Sequence, residues 1–197
     1  MIGLLPYIMA SVLSAVVVSL VRPLLVKLAL WKNIVDKPNA RRLNHVPVPV
    51  LGGVGVFLGL IVALYTIAAM MGIQLPYIYT VLLVLMLGVG FIDDVRDLSP
   101  YTKFSVQILA VLLLYFSCDM RIDNLHGIFG LYEIPMYISL PLTLIVCVGL
   151  INAINLIDGI DGLSSGYSLM ASLLFGAWAY MSGDKINLLI SCSLIGV

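Results

Sequence analysis

The segment YISLPLTLIVCVGLINAINLI, Tyr137–Ile157, which runs directly into DGIDGL, Asp158–Leu163, decides the fold. It carries no charge over about 20 residues, enough α-helix at ~1.5 Å per residue to cross a hydrocarbon core of ~30 Å. Its far end holds two amides, Asn152 and Asn155, and two carboxylates, Asp158 and Asp161. Ionisable groups at such a depth cost on the order of 3 kcal/mol each unless something binds them, so the polar end is a candidate site.

The rest of the chain has the same character. Apolar residues make up 62% of it and charged residues 10%, with a mean hydropathy of +1.15, which puts the polypeptide in a bilayer rather than in water. Apolar runs near Ile2–Leu30, Gly52–Met71, Tyr77–Ile92, Phe104–Cys118, Tyr137–Ile157 and Leu163–Met181 predict six complete spans, and a seventh run begins near Ile186. The expected architecture is an all-α polytopic transmembrane bundle, a single integral membrane domain over residues 1–197. The last run ends at Val197 after roughly 12 residues, or ~18 Å of helix, too short to cross. The sequence therefore reads as the amino-terminal part of a longer protein.

Basic residues set the orientation. Of ten, eight (Arg22, Lys27, Lys32, Lys37, Arg41, Arg42, Arg96 and Lys103) lie beside the end of the first or third span, against Arg121 and Lys185 on the other side. Because cytoplasmic loops collect lysine and arginine, the amino terminus is expected outside, with no cleaved signal peptide. Parity then brings the loops after spans one, three and five to the cytoplasmic face. Those loops hold the conspicuous polar clusters: Asp36 to His45, Asp93 to Lys103, and Asn152 to Leu163. Formal net charge is zero, and nothing in the pattern suggests a nucleic-acid partner.

Aspartates without cysteine or histidine companions suit a hard divalent cation, and magnesium takes one or two carboxylates while sharing its shell with phosphate and water. Neighbouring basic loops would hold further phosphate charge, lysine as a point charge and arginine as a fork. A lone Asp-Asp after a span is most often a solvated helix end, and Asp-Gly pairs favour turns. What lifts the third cluster above a turn is its spacing: Asn152, Asn155, Asp158 and Asp161 recur every three residues, on one face if helical. Phosphoryl chemistry at the lipid–water boundary would let a soluble phosphate donor meet a lipid acceptor without either leaving its phase. The competing reading is a divalent-cation transporter or channel fragment, but a transport path places acids near the midplane, without arginines alongside.

Asp36-Lys37-Pro38-Asn39 with Arg41-Arg42 and His45, then Pro47-Val48-Pro49 and Gly52-Gly53, then Phe91-Ile92-Asp93-Asp94 with Leu98-Ser99-Pro100 and Lys103, then Asn152 through Gly166, occur together and in order. Jointly they resemble the polyprenyl-phosphate N-acetylhexosamine-1-phosphate transferases, of the glycosyltransferase family 4 type. The first-loop version is similar to the branch that uses UDP-GlcNAc rather than UDP-MurNAc-pentapeptide. The resemblance implies that an isoprenoid lipid phosphate, such as undecaprenyl phosphate, attacks a UDP-sugar to give lipid-diphospho-sugar and UMP, in a bacterial inner membrane with the site facing the cytoplasm.

It also implies roles. Asp93, Asp94, Asp158 and Asp161 are the expected catalytic carboxylates, with Asp93 nearest the lipid phosphate. Asp94, Asn155 and Asp158 are expected to hold Mg2+, or Mn2+ in its place. Lys37, Asn39, Arg41, Arg42, His45, Lys103, Asn152 and Asn155 are expected to bind substrate. The family continues past this point with another carboxylate motif and a histidine-bearing loop, so the 197-residue chain is expected to be inactive alone.

Other features concern architecture. Gly55 and Gly59 form a Gly-x-x-x-Gly helix-contact pattern on span two. Cys118, Cys147 and Cys192 lack metal-site spacing and predict no disulfide. Asp119–Pro135 is expected to form a short extracytoplasmic hairpin, with His126 on its surface.

Overall fold

The structure, a computed structural model, describes residues 3–32, 34–36, 48–49, 51–96, 98–157 and 162–197. Seven α-helices occur among them: α1 Leu5–Lys32, α2 Gly52–Met71, α3 Tyr77–Arg96, α4 Pro100–Ser117, α5 Met136–Ile157, α6 Leu163–Ser182 and α7 Lys185–Ile195. Each expected apolar run is a helix. A two-residue antiparallel ladder, β1 Val35–Asp36 with β2 Val48–Pro49, is the small exception to an all-helical fold.

Helices α1 to α5 are each long and apolar enough to cross a bilayer. The 20-residue α6 is not among these five; Ser164, Ser165, Tyr167, Ser168 and Ser172 dilute its apolar content. The 11-residue α7 is shorter still.

The packing divides the chain into two compact units, residues 1–80 with 159–197, and residues 81–158. In the first, α1 packs on α2 and α7, and α7 on α2 and α6. Its core gathers Tyr7, Ala10, Leu64, Ile67, Ala68, Ala179, Leu188 and Leu189. Lipid tails are as apolar as leucine, so helices in a bilayer associate through close approach and hydrogen bonds rather than hydrophobic exclusion. Gly55 and Gly59 are both buried against α1, as the Gly-x-x-x-Gly spacing predicts. A Cβ at Gly59 would come within 2.5 Å of a Val18 methyl and 3.2 Å of the Ser14 carbonyl oxygen. Across the α1–α7 contact the Ser11 hydroxyl donates to the Cys192 carbonyl at 2.6 Å. The three cysteines are free thiols.

The second unit holds the greater part of α3, with α4, α5 and the connection between them. Two boundaries in this unit differ from expectation by more than a residue. Helix α3 continues past Ile92 to Arg96, and α4 starts at Pro100 rather than Phe104. No glycine or proline follows Ile92 until Pro100, so nothing breaks α3 there, whereas Ser99-Pro100 is a strong start signal. The Ser99 hydroxyl accepts from the Thr102 N–H at 3.2 Å, and Pro100 takes the first turn, where no N–H is needed.

At the other end of the unit, residues 119–135 form the expected hairpin. Asn124 bridges Glu133, the Leu125 N–H donates to the Tyr132 carbonyl at 2.8 Å, and the Ile134 N–H to that of Asp123 at 2.8 Å. The hairpin is tied down by the Ile122 N–H donating to Thr143 Oγ1 at 3.0 Å. Arg121 pairs with Asp119 at 3.2 Å and Asp123 at 3.0 Å, and its guanidinium is raised above its ordinary value, first by the Asp123 hydrogen bond and then by Asp119. His126 is exposed, as expected of a surface residue.

Candidate active site

Asp93 and Asp94 sit on the last turn of α3 and Lys103 in the first turns of α4, so these residues are helical rather than parts of a loop. Each is placed against its own helix dipole. A carboxylate at a helix C-terminus and an ammonium at an N-terminus are disfavoured by roughly 0.3–1 kcal/mol apiece. The structure compensates by pairing them across the break, with Lys103 Nζ 2.6 Å from Asp93 Oδ2. The other carboxylate oxygen, Oδ1, accepts the Leu98 N–H at 2.9 Å. With Asp93 24% and Lys103 31% exposed, such a pair contributes on the order of 0–1 kcal/mol. Stability alone does not account for two charges placed where their helices disfavour them.

One turn further along α4 lies Gln107, buried in an otherwise apolar stretch at 6% exposure. Its Oε1 accepts the Asn152 Nδ2–H at 2.7 Å, and Asn152 Nδ2 also donates to the Val148 carbonyl at 2.8 Å. Lys103 and Gln107, four residues apart, share a face of α4. That face joins the end of α3 to the end of α5: the Asp93 cluster and the start of the Asn152 cluster meet α4 within one turn of each other. Asn155, three residues beyond Asn152, is exposed.

Of the expected site residues, the structure thus brings Asp93 and Lys103 into contact, sets Asp94 beside Asp93, and ties Asn152 to the same helix face. Lys37, Asn39, Arg41, Arg42, His45, Asp158 and Asp161 lie outside the described residues. Gln107 was not expected. The signal was a lone carboxamide in an apolar span, one turn after Lys103, but its partner lies 45 positions away.

The donor set tests whether a metal fits. All candidate ligands are carboxylate or amide oxygens, the chemistry a hard divalent ion prefers. Both Asp93 oxygens are already engaged, by Lys103 and by the Leu98 N–H. Among the described residues no three His, Cys, Asp or Glu side chains gather.

The sequence model of glycosyl transferase family 4 matches residues 76–197, well over half of the chain, including Asp93, Asp94, Lys103, Gln107, Asn152 and Asn155. The chain belongs to that family. It is 30% identical over 194 residues to a probable undecaprenyl-phosphate N-acetylglucosaminyl 1-phosphate transferase of Bacillus subtilis, covering 95% of this chain and 52% of the relative. It is 34% identical over 142 residues to the undecaprenyl-phosphate alpha-N-acetylglucosaminyl 1-phosphate transferase of Thermotoga maritima, covering 72% and 42%. A decaprenyl-phosphate N-acetylglucosaminephosphotransferase of Mycobacterium tuberculosis is 30% identical over 146 residues, covering 69% and 36%. The chain spans about half the length, or less, of the curated relatives it matches.

Proposed function

We propose that this family 4 glycosyl transferase moves a sugar 1-phosphate, GlcNAc-1-phosphate by analogy with its relatives, from a UDP-sugar to undecaprenyl phosphate. An oxygen of the lipid phosphate attacks the β-phosphorus, the bond to the α-phosphate breaks, and lipid-diphospho-sugar and UMP result. In this reading α1 to α6 cross a bacterial inner membrane with the amino terminus outside, α7 enters it, and the ends of α3 and α5 open on the cytoplasm. The excess of basic residues beside the ends of α1 and α3 supports the orientation.

The observation that carries the proposal is the Asp93–Lys103 pair at 2.6 Å, held where both helix dipoles oppose it. A phosphate monoester has a second pKa near ~6, so the lipid phosphate is already largely dianionic and needs no base. Asp93, with both oxygens accepting, is suited to orienting Lys103 rather than to removing a proton. Lys103 then supplies the positive charge for the incoming phosphate, and its carboxylate partner keeps it from swinging into solvent. Asp94, Asn155 and Asp158 are assigned to Mg2+, which when bound would neutralise charge on the diphosphate. Asp161 completes the proposed carboxylate set. Lys37, Asn39, Arg41, Arg42, His45 and Asn152 are assigned to substrate binding on the family resemblance.

The test is release of UMP from UDP-GlcNAc by the whole gene product in vesicles containing undecaprenyl phosphate and Mg2+. Lipid-dependent release supports the reading. Divalent-ion flux through the same vesicles, without UMP release, would overturn it.

A further inference from the structure

We infer that Gln107 is a positioning residue for the proposed transfer: by accepting the Asn152 amide, it fixes the rotation of the last turn of α5, which carries Asn155. The inference rests on the transferase reading of this site.

Gln107 itself is turned away from the chemistry. It is buried, lies one turn further into α4 than Lys103, and holds its carboxamide oxygen 2.7 Å from Asn152 Nδ2. Asn152 Nδ2 has two hydrogens, directed to Gln107 Oε1 and to the Val148 carbonyl. Both donors are therefore used inside the protein, and in this arrangement Asn152 offers a substrate only its carbonyl oxygen. A carboxamide left without a partner among apolar side chains is costly, so the pair has a strongly preferred geometry.

The consequence reaches Asn155. It stands three residues on from Asn152, on nearly the same helix face, but it is exposed. A side-chain tip lies ~6 Å from its helix axis, so rotating α5 by about 20° would move the Asn155 amide by about 2 Å. Misplacement of about 1 Å can cost a reaction on the order of a hundredfold. Lys103 and Gln107 share one rigid helix, so the Gln107–Asn152 bond sets Asn155 in register with the Asp93–Lys103 pair.

The experiment uses the whole gene product in vesicles, with Gln107→Met (similar length, no acceptor) and Gln107→Glu (acceptor retained), each alone and combined with Asn152→Ala. Two readouts are followed. One is kcat and KM for UMP release from UDP-GlcNAc. The other is the mobility of a nitroxide on Leu156→Cys, a site 84% exposed, with the native cysteines replaced by alanine.

Gln107→Met is expected to lower kcat by about 10–100-fold with KM within about twofold of wild type, and to loosen the label. Gln107→Glu is expected to keep kcat within about threefold and leave the label as it was. On the Asn152→Ala background Gln107→Met should do nothing more, because the two act through one bond. Gln107→Asn, one methylene short, should show the same loss and serves if the Met variant does not assemble.

Wild-type kcat and label mobility in Gln107→Met overturn the inference. So does a full-sized Gln107→Met effect on the Asn152→Ala background. If wild type releases no UMP while the label still responds to Gln107→Met only when Asn152 is present, the transferase reading fails and the contact's control of α5 stands.

Discussion

The two units of this protein hold their helices together with a different balance of close packing and side-chain hydrogen bonds. In the unit of α1, α2, α6 and α7 close approaches of small residues stand out, with Gly59 against Val18 and the Ser14 backbone, and the backbone of Gly196 against that of Ser11, beside the one Ser11–Cys192 side-chain bond already described. In the unit of α4 and α5 the helices are cross-linked by side-chain hydrogen bonds, Gln107 to Asn152 and Tyr115 to Ser139, and the Asp93–Lys103 pair joins α3 to α4. Neither device depends on expelling water, which a bilayer interior lacks. Close approach tolerates no added volume. Polar cross-links tolerate volume but not the loss of a donor or acceptor, and they can place a functional group to within a bond length.

The largest expected effect strikes the second unit's chemistry. Lys103→Ala or Asp93→Ala in the whole gene product should lower UMP release by about 10²–10³-fold, the usual cost of removing one preorganised electrostatic group. Thermal stability should move by no more than about 1 kcal/mol, because the pair is partly exposed. A large loss of stability instead would make the pair a structural one.

Next comes the first unit's intolerance of volume. Gly59→Val should destabilise by roughly 1–3 kcal/mol, since even the Cβ meets a Val18 methyl at 2.5 Å. Unfolding in detergent measures this, and an unchanged midpoint would mean that α1 and α2 do not approach so closely.

A smaller effect sharpens the contrast. Tyr115→Phe removes the hydroxyl that donates to Ser139 Oγ at 3.1 Å while leaving the ring packed. Hydrogen bonds between helices in membranes average ~0.6 kcal/mol, so stability should fall by about that amount with activity intact.

The smallest effect tests orientation. Cys118 follows the last residue of α4, and burial, then Asp119, pushes its thiol above its ordinary value. A membrane-impermeant maleimide added outside should label it, and labelling should climb with pH later than for a free cysteine, because the thiolate is the reactive form. Labelling only from the cytoplasmic side would reverse the proposed topology.

The fold was legible because hydropathy reports membrane helices directly: a lipid-facing span must be apolar along its length and can end only where polar residues begin. Every run expected from Ile2 to the seventh start near Ile186 is a helix. The errors fell at Asp93-Asp94 and Tyr101–Lys103, where polarity was read as a loop although the backbone stays helical. Side-chain polarity and backbone conformation separate there, and Ser99-Pro100 was the better guide to where α4 begins.

At the site, Asp93 and Lys103 are named on the family resemblance, and their pairing is short in sequence, ten residues from the end of α3 into α4. Gln107 could not be named, because only the folded contact with Asn152 distinguishes it from any amide in a span. The spacing of Asn152 and Asn155 suggested a shared task for the two. The contacts divide it, with Asn152 bonded inward and Asn155 left facing outward.

Gln107 also bears on how the molecule is made. The ribosome releases α4 some 45 residues before Asn152 exists, and α4 is the least apolar of the five candidate spans. During that interval its carboxamide has no Asn152 to meet, and the amide that is buried in the finished fold lacks the partner it has there. Arrival of α5 then closes the bond, so this α4–α5 contact belongs to the assembly of helices already made rather than to the forming of either one.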